Sequence, residues 1–249
     1  MLKRLLTVLL CAVVLISCMV SCDSGSDEVQ PDALQVATEK LMDAKYELTR
    51  TGKVTGDGTI GLEKDFFEVF FFDGENFQYE LDGYEAIFAD NVYYYRFGDD
   101  KIKMSVGDTF EKIEESIGVK LSQMGISDLG AYESVVTTNN PDGTTTITLT
   151  FPKDLNAIGA ATLNSLGFGQ AMSISIDEES FKETVVIDAE GRYQSIEQFM
   201  VISVSLHGQD AEMEVVANCQ TKMEFDYSKG KTITAPADAA DYVEIPLGE

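Results

Sequence analysis

From Tyr46 onward apolar and polar residues alternate with a period of two, and the alternation is interrupted where apolar residues recur three and four positions apart. Period two puts successive side chains on opposite faces of a strand, whereas spacings of three and four line one face of a helix. Segments 46–54, 66–72, 77–81, 84–89, 92–97 and 102–106 carry the first pattern, with Gly56-Asp57-Gly58, Asp73-Gly74, Asp82-Gly83 and Asp99-Asp100 between them. Links this short cannot make parallel crossovers, so an antiparallel meander is predicted. Further strands are predicted at 132–138, 144–151, 172–176, 181–187 and 193–206. The clearest alternation is at 211–227, where Ala211, Met213, Val215, Ala217, Cys219, Met223, Phe225 and Tyr227 form a dry face. Glu212, Glu214, Asn218, Gln220, Lys222, Glu224 and Asp226 form its wet face. At about 3.3 Å per residue that strand exceeds roughly 50 Å, so it is expected to bend, to curl with a twisted sheet or to break at a bulge.

Three segments have helical spacing. Leu34, Ala37, Leu41 and Ala44 predict a helix over 32–45. Phe110, Ile113, Ile117, Leu121 and Met124 predict one over 108–124, opened by Asp108 and Glu111 at capping-box spacing. Leu155, Ile158, Thr162 and Leu166 predict a third over 154–166, stopped by Gly167. A sheet with one wet face must bury the other, and the helices are the available cover. The expected fold class is therefore α+β: a large curved antiparallel sheet, a half-barrel, packed over two to three helices.

The N-terminal segment follows neither pattern. Met1-Leu2-Lys3-Arg4 carries positive charge, 5–16 is uncharged, and Asp23-Ser24-Gly25-Ser26-Asp27-Glu28 is a polar tether. An apolar run of about a dozen residues suits a secretory leader and falls short of the roughly 20 that a membrane-spanning helix needs. Leu15-Ile16-Ser17-Cys18 resembles the lipobox of bacterial lipoproteins. That resemblance implies a diacylglyceryl group on Cys18, which becomes the new N-terminus, with Met19-Val20-Ser21-Cys22 as the alternative and Cys22 then the lipidated residue. The expected organisation is a lipoprotein signal peptide at 1–17, a lipidated Cys and flexible polar tether at 18–30, and a single half-barrel-like domain at 31–249. The expected location is the extracytoplasmic side of the cell membrane or envelope, with the membrane itself as a partner through the anchor.

Charge narrows the partners. Lys and Arg number 18 against 43 Asp and Glu, a net charge of −25 that deepens to −27 when Lys3 and Arg4 leave with the leader. Such a chain does not bind nucleic acid through its phosphates and is repelled by anionic headgroups, which leaves membrane attachment to the acyl chains. Residue chemistry narrows the activities further. His207 is the single histidine and precedes Gly208 at a turn, where a solvated role is expected. There is no Walker loop, Cys-x-x-Cys pair or Gly-x-Ser-x-Gly elbow. Glu111, Glu114 and Glu115, and Asp177-Glu178-Glu179, lack the spacing of a calcium loop and read as solvated surface. No catalytic residue, metal site or cofactor is predicted, and Cys219 is expected to be a free, inert thiol on the dry face.

Thirteen of the 24 Phe and Tyr residues fall within the 32 positions 66–97. Large rings fill the space between a sheet and its cover, or line a space that an apolar guest fills. Phe70, Phe72, Tyr93 and Tyr95 are the candidate ligand-binding residues. The whole layout, with Val186-Ile187-Asp188-Ala189-Glu190-Gly191 feeding further strands and Ile233-Thr234-Ala235-Pro236 closing it, resembles the half-barrel lipoproteins, the superfamily of the carrier LolA and the mycobacterial LppX type. The resemblance implies a non-enzymatic protein that binds or carries a hydrophobic small molecule such as a lipid or acyl chain. The alternative is a non-enzymatic protein-interaction or envelope-structural module with a fully packed core.

Overall fold

The alternating segments do form strands, and all of them join one sheet. The computed structural model describes residues 32–56, 63–74, 76–81, 84–105, 134–150, 156, 172–177, 179–207 and 212–244. Among these residues thirteen strands are present: β1 (Tyr46–Gly56), β2 (Glu63–Phe72), β3 (Phe77–Leu81), β4 (Tyr84–Ala89), β5 (Val92–Phe97), β6 (Asp100–Ser105), β7 (Val135–Asn139), β8 (Thr145–Thr150), β9 (Met172–Ile176), β10 (Lys182–Ile187), β11 (Tyr193–His207), β12 (Glu212–Asp226) and β13 (Val243–Glu244). Their order is β13-β6-β5-β4-β3-β2-β1-β12-β11-β10-β8-β7, with β9 also paired to β11. Every pairing is antiparallel except that of β13 with β6. The meander β1–β6 follows from its short turns. Between β4 and β5 Asp90 and Asn91 have φ of 54° and 61°, the paired left-handed geometry that suits a two-residue hairpin. β12 runs whole from Glu212 to Asp226 without a shift in its register to β11 or β1, so the long strand does not break at a bulge.

The expected packing of this sheet over two to three helices is not what forms. Among the described residues there is one α-helix, α1 (Asp32–Met42), and the fold is in the main a single large sheet. The predicted helix at 108–124 lies outside the described residues, and of that at 154–166 only Asn156, which is helical, is described. α1 itself ends three residues before its predicted limit, because the chain turns, with Ala44 N donating to Leu41 O, and is extended by Tyr46. The Tyr46 ring then sits 5.6 to 6.0 Å from those of Phe72, Phe225 and Tyr227. Leu34, Ala37 and Leu41 of α1 are buried in the main core together with Val185, Ile187, Ile196 and Met200 of β10 and β11. We call this the core face of the sheet.

The other face is not uniformly wet. Residues 230–244 leave β12 and cross the outer face of β2–β6, where Ile233 and Tyr242 are buried with Ile87, Ala89 and Tyr94. Ile233 N donates to Asp73 Oδ2 at 2.8 Å, Lys101 Nζ pairs with Asp238 Oδ2 at 2.6 Å, and the Tyr94 and Tyr242 rings meet edge to face at 5.4 Å. Residues 230–244 therefore form a strap across the back of the aromatic strands.

Candidate ligand-binding face

Register decides which aromatic residues share a face. Phe72 pairs with Phe77, Phe77 with Phe88, and Phe88 with Tyr93, so these four rings form one row across β2–β5. Phe70, Tyr79, Ala86 and Tyr95 form the next row by the same logic. Tyr46 and Leu48 of β1 continue the two rows into the main core. All four predicted residues, Phe70, Phe72, Tyr93 and Tyr95, thus lie on the core face in two adjacent rows. With strands about 4.8 Å apart, each β2 residue is some 14 Å from its row-mate on β5.

Burial separates them. Phe72 is buried in the main core, Phe70 packs half-buried against it, and Tyr93 and Tyr95 are half-buried. Phe97, next on the same face of β5, is 46% exposed. Across β8–β12 that face is closed, with Ile147, Met200, Ile202, Ala217 and Cys219 all buried. Rings at this half-open end touch one another: Phe70 and Tyr79 at 4.6 Å, Phe77 and Phe88 at 5.8 Å, Phe77 and Tyr93 at 6.2 Å. Desolvation, with Tyr95 nearby, raises the pKa of Tyr93, so the phenol stays neutral in any ordinary buffer. Ala86, buried between Tyr79 and Tyr95 in its row, makes a dip in the aromatic floor.

A second feature of this face was not anticipated from the sequence. The five buried polar or charged residues among those described are Arg50, Glu68, Glu183, Gln198 and Thr221, and register puts every one on the core face. With Tyr79 they form a diagonal of one polar side chain per strand across β3, β2, β1, β12, β11 and β10: Tyr79, Glu68, Arg50, Thr221, Gln198, Glu183. Arg50 Nε donates to Glu68 Oε2, and the Tyr79 hydroxyl donates to Glu68 Oε1 at 3.2 Å. The Arg50 guanidinium carbon lies 5.8 Å from the ring centres of both Phe66 and Phe70, which hold it by cation–π attraction. Gln198 Nε2 donates to Glu183 Oε2. Gly52, opposite Phe66, lets that ring lie across β1: a Cβ there would fall 2.1 Å from Phe66 Cζ.

Of the other residues singled out in the sequence, Cys219 lies on this face. His207 closes β11 opposite Glu212, and Asp177 accepts from the backbone of Glu179 in an exposed turn. Glu111, Glu114, Glu115, Glu178, Cys18 and Cys22 lie outside the described residues. Cys219 is free and buried, and burial pushes its thiol up to about 12. Among the described residues no His, Cys, Asp and Glu groups are placed to hold a metal ion, and no helix is long and apolar enough to cross a membrane.

Fold and face together define the described residues as a single, mainly antiparallel sheet with an aromatic core face crossed by a polar diagonal. No protein family and no curated protein sequence matches it. Solved structures similar to it include the following two. One is a LolA superfamily protein from Nitrosomonas europaea, 10% identical, covering 77% of this chain and 91% of that one with a TM-score of 0.26. The other is LprF from Mycobacterium bovis, 15% identical, covering 84% of this chain and 98% of that one with a TM-score of 0.34. A LolA superfamily protein is thus among the structures similar to this chain, as the layout of the sequence led us to expect.

Proposed function

We propose that this chain is a lipid-anchored extracytoplasmic protein that binds a hydrophobic guest, a lipid or acyl chain, on the core face of β2–β5, and that it is not an enzyme. The observation that carries the reading is the pair of aromatic rows, closed at β1 and half-open at β5. Rings that are only half-buried on the face that elsewhere forms the core still have apolar surface to cover, and a guest covers it. The anchor reading rests on Leu15-Ile16-Ser17-Cys18 and the charged start before it. In this reading 1–17 is a leader, 18–30 a lipidated tether and 31–249 the binding body.

Native mass spectrometry of the purified protein tests the guest: co-purified lipid supports it, and a bare chain that also takes up no fluorescent acyl probe favours the packed interaction module. Alanine variants sharpen the test. Phe72→Ala is expected to cost about 3–5 kcal/mol as a core truncation, while Tyr95→Ala costs less than about 2 kcal/mol and weakens acyl uptake. Equal, severe destabilisation by both would return the rings to the role of core. Fatty-acid labelling in a bacterial host that disappears with Cys18→Ala supports the anchor, labelling lost only with Cys22→Ala moves it, and labelling indifferent to both removes it.

A further inference from the structure

The two ends of the sheet are finished differently. At one end β13 pairs with Ile102 and Lys103 of β6, and β6 itself carries Asp100, Lys101 and Lys103. Cover and charge are what keep an edge strand from pairing with another chain. β7, at the other end, has neither. Every residue of β7 is exposed, Val136 at 58%, and 134–150 holds a single charged residue, Asp142 in the β7–β8 turn. No proline lies within β7 and no bulge interrupts its register to β8.

Register shows which backbone groups this edge leaves open. Thr150 N donates to Ser134 O and Asn140 N donates to Thr144 O, so the even-numbered residues along β7 exchange their bonds with β8. The N–H and C=O groups of Val135, Thr137 and Asn139 therefore turn outward, and among the described residues nothing pairs with them. Thr137 is the middle of that outward set. A two-fold axis through it sets Thr137 opposite its own copy and Val135 opposite Asn139 of the second copy, and each of these pairs then exchanges both hydrogen bonds. The same register puts Val136 beside Thr138 of the second copy, which covers the exposed valine.

Charge says which chain fits the edge. Two copies of a chain with a net charge of −25 repel over most of their surface, and β7 is a place where they touch with no charged side chains opposed. A basic segment of another protein finds no carboxylate on β7 and many elsewhere. We propose that β7 is the interface of a two-fold dimer of this chain, in which β7 pairs antiparallel with β7 of a second copy about Thr137 and the two sheets run on as one. Paired side chains share a face, so both core faces lie on the same side of the joined sheet. The aromatic strands β2–β5 lie toward the other end of each sheet, so the dimer neither needs a guest nor excludes one. A junction of 5 residues a side is well under the roughly 20–30 of a stable interface, so the dimer forms and parts with concentration.

Sedimentation equilibrium of the full chain in a neutrally buoyant detergent is expected to show monomer and dimer exchanging, with dimer populated at about 100 µM. Thr137→Pro removes an N–H that points away from β8, so the hairpin keeps its own bonds while the junction loses its central pair. Dimerisation is expected to weaken about tenfold or more in this variant and to persist in Thr137→Val, which keeps the backbone groups. Circular dichroism shows whether the proline variant is folded; should it unfold, Thr137→Lys, which opposes two charges on the axis, carries the same expectation. Thr137→Cys sets two thiols on the axis with Cα atoms about 5.5 Å apart, within disulfide reach. Mild oxidation is expected to trap more covalent dimer in it than in the unaltered chain or in Glu197→Cys, an exposed site on β11. A chain that stays monomeric at every concentration and gives no added Thr137→Cys dimer overturns the proposal and leaves the edge to a strand of another protein. A dimer as tight in Thr137→Pro and Thr137→Lys as in the unaltered chain overturns it as well, because the contact then lies elsewhere. Loss of the dimer in Thr137→Val makes the side chain the contact and overturns the strand pairing.

Discussion

Replacing Glu68 with leucine tests whether the centre of the core face is held as described. Glu68 is fully buried and is the carboxylate beside Arg50, whose guanidinium lies between the Phe66 and Phe70 rings. Glu68→Leu therefore leaves a buried, uncompensated cation, a change that costs about 3–5 kcal/mol. Set against a whole-domain stability of about 5–15 kcal/mol, that is about a fifth of the total or more. With a urea slope near 3 kcal/mol per molar, as suits a large sheet, the midpoint falls by about 1–1.7 M. Arg50→Met with Glu68→Leu removes both charges at similar volume, and its cost is expected below about 1 kcal/mol, or to become a gain, because neither charge then has to be desolvated. The coupling energy of the cycle is thus about 2 kcal/mol or more. Tyr79 loses its acceptor in both variants, but it is half-buried and water replaces the bond. Urea titrations followed by circular dichroism and by tyrosine fluorescence suit a chain with 10 Tyr and no Trp. A Glu68→Leu cost under about 1 kcal/mol, or a double variant as unstable as the single, would refute the reasoning.

Two further predictions address packing and pH. Gly52→Ala puts a Cβ 2.1 Å from Phe66 Cζ and 2.8 Å from the Gln220 carbonyl oxygen. It is expected to cost about 1–3 kcal/mol in thermal melting, with Phe66→Leu restoring part of the loss because the ring can yield and the carbonyl cannot. Burial pushes the Cys219 thiol from 9.0 up to about 12 and the Tyr227 phenol from 10.0 up to about 12, and it raises Tyr46 and Tyr193 as well. The unfolded chain gives up these protons first, so stability is whole below about pH 9 and falls as the pH climbs toward the folded values. Urea midpoints that stay level from about pH 9 to 11 would contradict this, as would alkylation of the Cys219 peptide near neutral pH without unfolding.

Strands were legible because their signal is local: alternation and turn residues identified all of those described except the two-residue β13 to within a few positions. β12 shows how far that goes, since Val215, Ala217, Cys219 and Met223 are all buried where alternation placed them. What covers the sheet was less legible, because cover is a relation between distant segments. Strap residues 230–244 carry no strong period of either kind, and their burial depends on Ile87 and Tyr94, some 140 residues earlier. The polar diagonal did leave a signal, in residues that are out of character for their phase. Glu183 interrupts Phe181, Val185 and Ile187; Gln198 interrupts Ile196, Met200 and Ile202; Glu68 interrupts Phe66, Phe70 and Phe72. Thr221 is the gap in the dry face of 211–227 between Cys219 and Met223. Each interruption alone is an ordinary imperfection. Only register shows that they fall on successive strands, and register needs the turns and the sheet order together.

The strap gains a purpose once the core face is taken to hold a guest. Strands whose inner side keeps a ligand space open lose part of the burial that would otherwise fix them, so their stability has to come from elsewhere. On β2–β6 it comes from behind. Ile233 and Tyr242 bury Ile87 and Tyr94, the Ile233 amide is held by Asp73 at the end of β2, and β13 pairs with the free edge of β6. That last contact also covers part of an edge strand that would otherwise offer unpaired backbone groups to another chain. On β8–β12, where the core face is closed and α1 docks, no described segment crosses the back. Support is thus placed behind the half of the sheet whose front is half-open. An aromatic floor held from its outer side keeps its shape whether or not a guest lies on the inner one, which is what a face that must load and release a lipid requires.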